Sequence, residues 1–221
     1  MAHARALRSA GALLTLVVTG CASVGSESVR RDLLAGRSQG RYLAGVPFVP
    51  QADRYCGPAS LAMVLRYWGE AVGQEEIGAA LYLPSAKGTL NLDLEFYARR
   101  RGFRAEGFRG TLGEVKAEID QGRPVIVFQD QGIGPLAFPH FLVVVGYDDT
   151  RELVLAHSGV TENRLIPYRE FLWTWGKTGN WTLRIQPRDR SRMPRGAPAN
   201  ETGVVTGEWA HQRDVTDGRE P

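Results

Sequence analysis

Two residues in this chain combine a reactive side chain with surroundings suited to nucleophilic chemistry. Cys56 stands in Gln51-Ala-Asp-Arg-Tyr-Cys-Gly-Pro-Ala-Ser60, directly before an apolar run with helical spacing. Leu61, Val64, Leu65 and Trp68 share one face of that run, Pro58 suits a first helical turn, and Gly69 is a natural stop. A helix N-terminus carries about half a positive charge and free amide donors, and both favour thiolate over thiol. Gly57 lets a substrate approach the backbone closely. Gln51 could offer its side-chain amide, with the Cys56 amide, to a developing oxyanion. Two other roles stay open for Cys56 on local sequence alone, a small buried hydrophobe or a disulfide partner of Cys21, the second cysteine of two.

A thiol needs a base. Beyond the first twenty residues the histidines are His140, His157 and His211, and His211 falls in a polar C-terminal stretch. His140 opens Phe138-Pro-His-Phe-Leu-Val-Val-Val-Gly-Tyr-Asp148, the most apolar run of the chain. An imidazole at the mouth of a buried strand can point into a cleft, so His140 is the candidate base.

The elements that must hold these two residues are legible in the periodicity. Helices are expected over 58–68, 74–82, 91–101 (closed by Gly102), 112–121 and 167–175. Short β-branched runs at 124–129, 141–147 and 152–156, with an alternating segment at 180–186, read as strands. Helices first and strands afterwards predict an α+β domain with a mostly antiparallel sheet. Trp173, Trp175 and Trp181 are expected in packing rather than as ligand platforms, and Arg99-Arg-Arg101 as a solvated helix end. The loop Gly132–Pro139 reads either as a groove rim or as an ordinary surface connection.

Residues 1–20 differ from the rest. Arg5 and Arg8 precede an apolar stretch from Ala10 to Thr19, too short for a bilayer core of about 30 Å and suited to an export signal. Val18-Thr19-Gly20-Cys21 resembles the lipobox of bacterial lipoproteins, in which the cysteine is acylated. With Ala22 next, that resemblance implies an outer-membrane anchor facing the periplasm. Without Arg5 and Arg8, the 27 basic residues fall to 25 against 24 acids, so no net basic surface argues for nucleic acid. A hydrophobic share of 43% supports a real core and excludes a wholly disordered chain. The chain divides into signal peptide 1–20, tether 21–45 with a short helix expected around Val29 to Leu34, folded domain 46–187 and a disordered tail 188–221. No HExxH, CxxC or Walker pattern occurs, so no metal, nucleotide or other cofactor is expected.

A glutamine, then CGPAS opening a helix, then HFLVVVGYD opening a strand resembles the double-glycine leader peptidase family, a group of papain-like cysteine peptidases. The resemblance covers about residues 46–186. It implies a papain-like fold, a peptide or protein substrate, Cys56 as nucleophile, His140 as general base and acid, and Gln51 at the oxyanion hole. Two departures stand out. Gln51 lies five residues before Cys56, where papain-like enzymes usually place it six before. The family's third residue is an Asp, typically followed by Pro, sixteen or seventeen residues after the histidine. Here that place reads Leu155-Ala-His157-Ser-Gly. His157 and Asn163 are the candidate third members, with Ser158 and Asp148 as further alternatives. The leading expectation is a cell-envelope peptidase acting through a Cys–His thiolate. The alternatives are a peptide-binding or envelope-assembly module with a degenerate triad, and a thiol acyltransferase.

Overall fold

The computed structural model describes residues 25–189. The expected signal peptide, Cys21, His211 and all but the first two residues of the expected tail lie outside the described residues.

The first helix of the sheet-covering layer, α2 (Cys56–Tyr67), is the helix whose start carries the cysteine. Its residues from Gly57 to Leu65 are all buried, as a helix apolar on every side must be. It runs through the centre of the domain, against α3 (Gln74–Leu81), α4 (Asn91–Arg100) and strands β3 (Val125–Asp130) and β4 (Pro139–Asp148). At its far end the Trp68 indole N–H donates to Ile185 O at 2.9 Å, which pins the helix to the sheet. Gly69 and Gly102 follow α2 and α4 with φ of 85° and 86°, the left-handed conformation that ends helices and favours glycine. Helix α5 (Leu112–Asp120) opens on a Thr111/Glu114 capping box.

Seven strands form one antiparallel sheet in the order β2-β7-β3-β4-β5-β6. They are β2 (Phe103–Arg109), β5 (Leu153–Ser158), β6 (Thr161–Pro167) and β7 (Trp181–Pro187), with β3 and β4 at the centre. The seventh, β1 (Gly40–Tyr42), pairs with the far end of β4. Helix α6 (Tyr168–Gly176) packs on β3, β5 and β6. Val125, Ile126, Val127 and Leu142 to Val145 are almost inaccessible to solvent, because both sheet faces are covered and such strands read as unbroken apolar runs. The α+β architecture with helices on a mostly antiparallel sheet is the expected one. Strands β1, β2 and β6 were not foreseen: β2 and β6 are half exposed and carry charged residues on their open faces.

The expected tether is partly folded. Residues 26–34 form α1 (Ser26–Leu34), which buries Val29 and Leu33, and β1 follows. Asp148, fully buried at the end of β4, accepts from Ser38 Oγ and Arg151, and Arg151 also pairs with Asp32 of α1. The segment looked like linker because its apolar positions are few, yet those few are the ones that pack. Among the three tryptophans, Trp175 is buried and Trp181 half-buried, while Trp173 is exposed beneath the Lys177 ammonium. Arg101 is tied to Glu70 and Glu76 rather than simply solvated.

Candidate active site

Cys56 is the first residue of α2 and is half-buried, a free thiol. Burial acts most strongly on its thiol, and the nearby backbone amides of Phe141, Gly57 and Cys56 itself act in the opposite direction. Two come from the helix start and one from β4, so the sulfur sits where the helix N-terminus meets the strand. A Cβ placed on Gly57 would lie 3.4 Å from the Phe141 ring and 3.2 Å from Thr89 Cβ, so the helix start is already in close contact on both sides.

His140 is the residue immediately before Phe141. The strand whose start carries the candidate base is therefore the one that packs against α2, although the two residues are 84 apart in sequence. Phe141 turns toward Gly57 and the ring of Phe128, 4.5 Å away between centroids. Strand alternation sends the His140 side chain to the opposite face. There His140 Nε2 lies 3.0 Å from Ser158 Oγ, on the last residue of β5. His140 is 7% exposed, and its cross-strand neighbour on β3 is Gln129, also buried, whose Nε2 has no partner.

The two residues expected as third members do not reach His140. His157 precedes Ser158 on β5, so its side chain leaves the opposite face of the strand. Its Nε2–H donates to Val46 O at 3.2 Å, and its Nδ1 accepts the Asn163 N–H at 3.3 Å. Phe48 stacks on it edge-on. Asn163 lies in β6 with φ of 52°, and its buried Oδ1 has no partner. Asp148 is at the other end of β4, engaged by Arg151 and Ser38. The one-residue offset between His157 and Ser158 decides which side chain faces the imidazole, and a bulge between Ala156 and Ser158 makes that offset hard to count from sequence.

Electrostatics follow from burial and from the missing carboxylate. Burial holds His140 down to about 4, with the Arg164 charge a smaller push in the same direction. Burial also raises the Cys56 thiol, more than the three amides lower it. Both effects favour the uncharged forms, a neutral thiol and a neutral imidazole. The hydrogen bond between Nε2 and Ser158 Oγ orients the ring without adding charge.

Gln51 is held at the edge of the same site. Its backbone N–H donates to Gly159 O at 3.1 Å, one residue beyond Ser158. Its side-chain Oε1 lies 3.9 Å from where a Cβ on Gly159 would stand. The short spacing to Cys56 is closed by a tight turn, with Tyr55 N–H donating to Ala52 O at 3.0 Å and Arg54 in the left-handed region at φ 60°. Sequence reading missed Gln74, at the start of α3, which bonds the backbone on both sides of Gln51. A buried glutamine opening a helix was the available signal. Among the described residues no group of His, Cys, Asp or Glu could hold a metal ion.

Residues 43–182 match the family model described as Peptidase_C39 like family. The chain belongs to that family, whose domains are of cysteine peptidase type. No curated protein sequence matches it. Among solved structures, it is similar to a putative C39-like peptidase from Bacillus anthracis, at 19% identity and a TM-score of 0.59, covering 69% of this chain and 100% of that one. It is also similar to a double glycine motif protease from an AMS/PCAT transporter in complex with the leader peptide (26% identity, TM-score 0.52, 66% of this chain and 95% of that one). A third is the peptidase domain of Streptococcus ComA, a bifunctional ABC transporter (23% identity, TM-score 0.53, 65% and 99%). The fold is therefore that of C39 papain-like peptidase domains.

Proposed function

We propose that this protein is a cysteine peptidase that cleaves a peptide bond with Cys56 as nucleophile, His140 as general base and Ser158 as the residue that orients His140. The observation that carries the reading is that Cys56 opens α2 where the helix start packs on Phe141 of β4, and that the residue before Phe141 is an imidazole already bonded through Nε2. With Nε2 engaged by Ser158, Nδ1 is the nitrogen assigned to the thiol proton. Because the resting pair is uncharged, proton transfer accompanies attack instead of preceding it. Cys56 loses its proton to Nδ1 as the sulfur bonds to the substrate carbonyl carbon. The Cys56 amide and the Gln51 side chain hold the oxyanion. The tetrahedral adduct collapses, the C–N bond breaks, and Nδ1 returns the proton to the leaving amine. Water, deprotonated by the same nitrogen, then releases the acid from the thioester.

A peptide substrate is supported by the AMS/PCAT neighbour, whose structure contains a leader peptide. Replacing Cys56 with Ala should abolish turnover of a peptide panel while leaving the melting temperature within a few degrees of wild type. Retained turnover would remove Cys56 from the mechanism.

A second reading, a peptide-binding module, is favoured by one observation: among the described residues no carboxylate bonds His140. Under it the panel binds without cleavage. The lipid anchor belongs to the same proposal and is supported by Arg5, Arg8, the apolar run and Cys21. Acyl chains at about 0.8 kcal/mol per buried methylene would hold the domain at the membrane. Cys21→Ser should move the protein from the membrane to the soluble fraction.

A further inference from the structure

Gln74 makes two hydrogen bonds that bracket a single residue. Its side-chain Oε1 accepts from the Ala52 N–H at 2.9 Å, and its Nε2 donates to Pro50 O at 2.9 Å. The peptide groups it takes are the ones immediately before and after Gln51. The third backbone contact of this stretch, Gln51 N–H to Gly159 O, comes from the opposite side. The Gln51 backbone is thus clamped between α3 and the β5–β6 turn, and Gln74, 8% exposed, is shielded from water that would compete for both bonds. A surface loop has no need of such a clamp, whereas a residue that must present an amide to a carbonyl oxygen within a few tenths of an ångström does.

We propose that Gln74 is a positioning residue for the oxyanion donor, acting on the reaction only through Gln51. The inference rests on the assignment of Gln51 to the oxyanion hole, and the experiment separates the failure of one from the failure of the other. Full-length protein carrying Cys21→Ser leaves Cys56 as the single thiol. Two reagents are applied to it. In p-nitrophenyl acetate, the sulfur bonds to the carbonyl carbon, a tetrahedral oxyanion forms, and p-nitrophenolate leaves to give the S-acetyl enzyme. In iodoacetamide, the sulfur displaces iodide at a saturated carbon and no oxyanion forms. Gln51→Ala should slow acetylation about 100-fold and leave alkylation within about twofold. Gln74→Met, which keeps the side-chain length and removes both bonds, should slow acetylation about tenfold or more with the same indifference in alkylation. In the Gln51→Ala background, Gln74→Met should have no further effect on acetylation.

Equal slowing of both reactions by Gln74→Met, or full additivity of the two substitutions, would overturn the positioning role while leaving Gln51 as donor. Unchanged acetylation in Gln51→Ala would overturn the oxyanion assignment itself, and the positioning role with it. Should Gln74→Met fold poorly, Gln74→Glu serves instead: it keeps the acceptor for Ala52 N–H, loses the donor to Pro50 O, and is expected to show the same selective loss.

Discussion

The Nε2 atom of His140 lies 3.0 Å from the hydroxyl of Ser158, so the imidazole of this site is oriented by a neutral group. A carboxylate in that place would stabilise the cationic ring; a hydroxyl does not. Substituting Ser158→Asp should therefore raise the His140 pKa by at least one unit, read from the ring proton shifts in an NMR titration. Ser158→Ala should leave that pKa low and reduce peptide turnover about tenfold or more by freeing the ring. Turnover unaffected by Ser158→Ala would remove the serine from the site.

The low pKa of His140 also sets a pH dependence of stability. The group stays neutral in the folded protein down to about 4, while in the unfolded chain it protonates near 6.5. Between those values the unfolded state binds more protons, so stability is full above about 6.5 and is lost as the pH falls toward 4. The loss from this one group is about 3 kcal/mol. Burial lowers His157 as well, which adds to the loss in the same direction. Urea midpoints measured from pH 7 to pH 4 should fall, and His140→Gln should flatten the slope.

Gly78 of α3 faces the ring of Tyr55, the residue before Cys56, and a Cβ at Gly78 would collide with that ring. Tyr55 also packs on Tyr82, which limits how far its ring can retreat. Gly78→Ala should cost about 1–3 kcal/mol by overpacking and should slow Cys56 alkylation by displacing the start of α2. The urea midpoint and the iodoacetamide rate check the two effects separately.

Arg151 joins α1 to the sheet through Asp32 and the fully buried Asp148. Arg151→Ala leaves the fully buried Asp148 carboxylate without its cation and should lower the urea midpoint. Limited proteolysis should then cut between residues 26 and 42, where the packing of α1 is expected to protect the wild type. Equal protection in both proteins would contradict the packing of α1 as a stabilising element.

The central elements were legible because their physics is local. The Cys56 helix shows its apolar faces and its Gly69 stop, and β3, β4, β5 and β7 show β-branched runs within one or two residues of their observed ends. Cys56, His140 and Gln51 could be picked out because each opens or precedes such an element. Partners chosen by register were not legible. Whether His157 or Ser158 meets His140 depends on which face of β5 is turned, and a bulge in that strand breaks the count. Gln74 shows its role only once α3 is packed beside the loop carrying Gln51. Helix α1 shows in the sequence only as a short helical stretch around Val29 to Leu34 inside an expected tether, because just two buried side chains, Val29 and Leu33, and one salt-bridged acid secure it.

The most direct test of the site is the acetylation of Cys56 by p-nitrophenyl acetate at pH 7, followed by intact mass spectrometry in the Cys21→Ser background. The expected result is an adduct on Cys56 that forms far faster than on free cysteine and is lost in His140→Ala. Labelling no faster than free cysteine, or equally fast without His140, would contradict a base-assisted nucleophile.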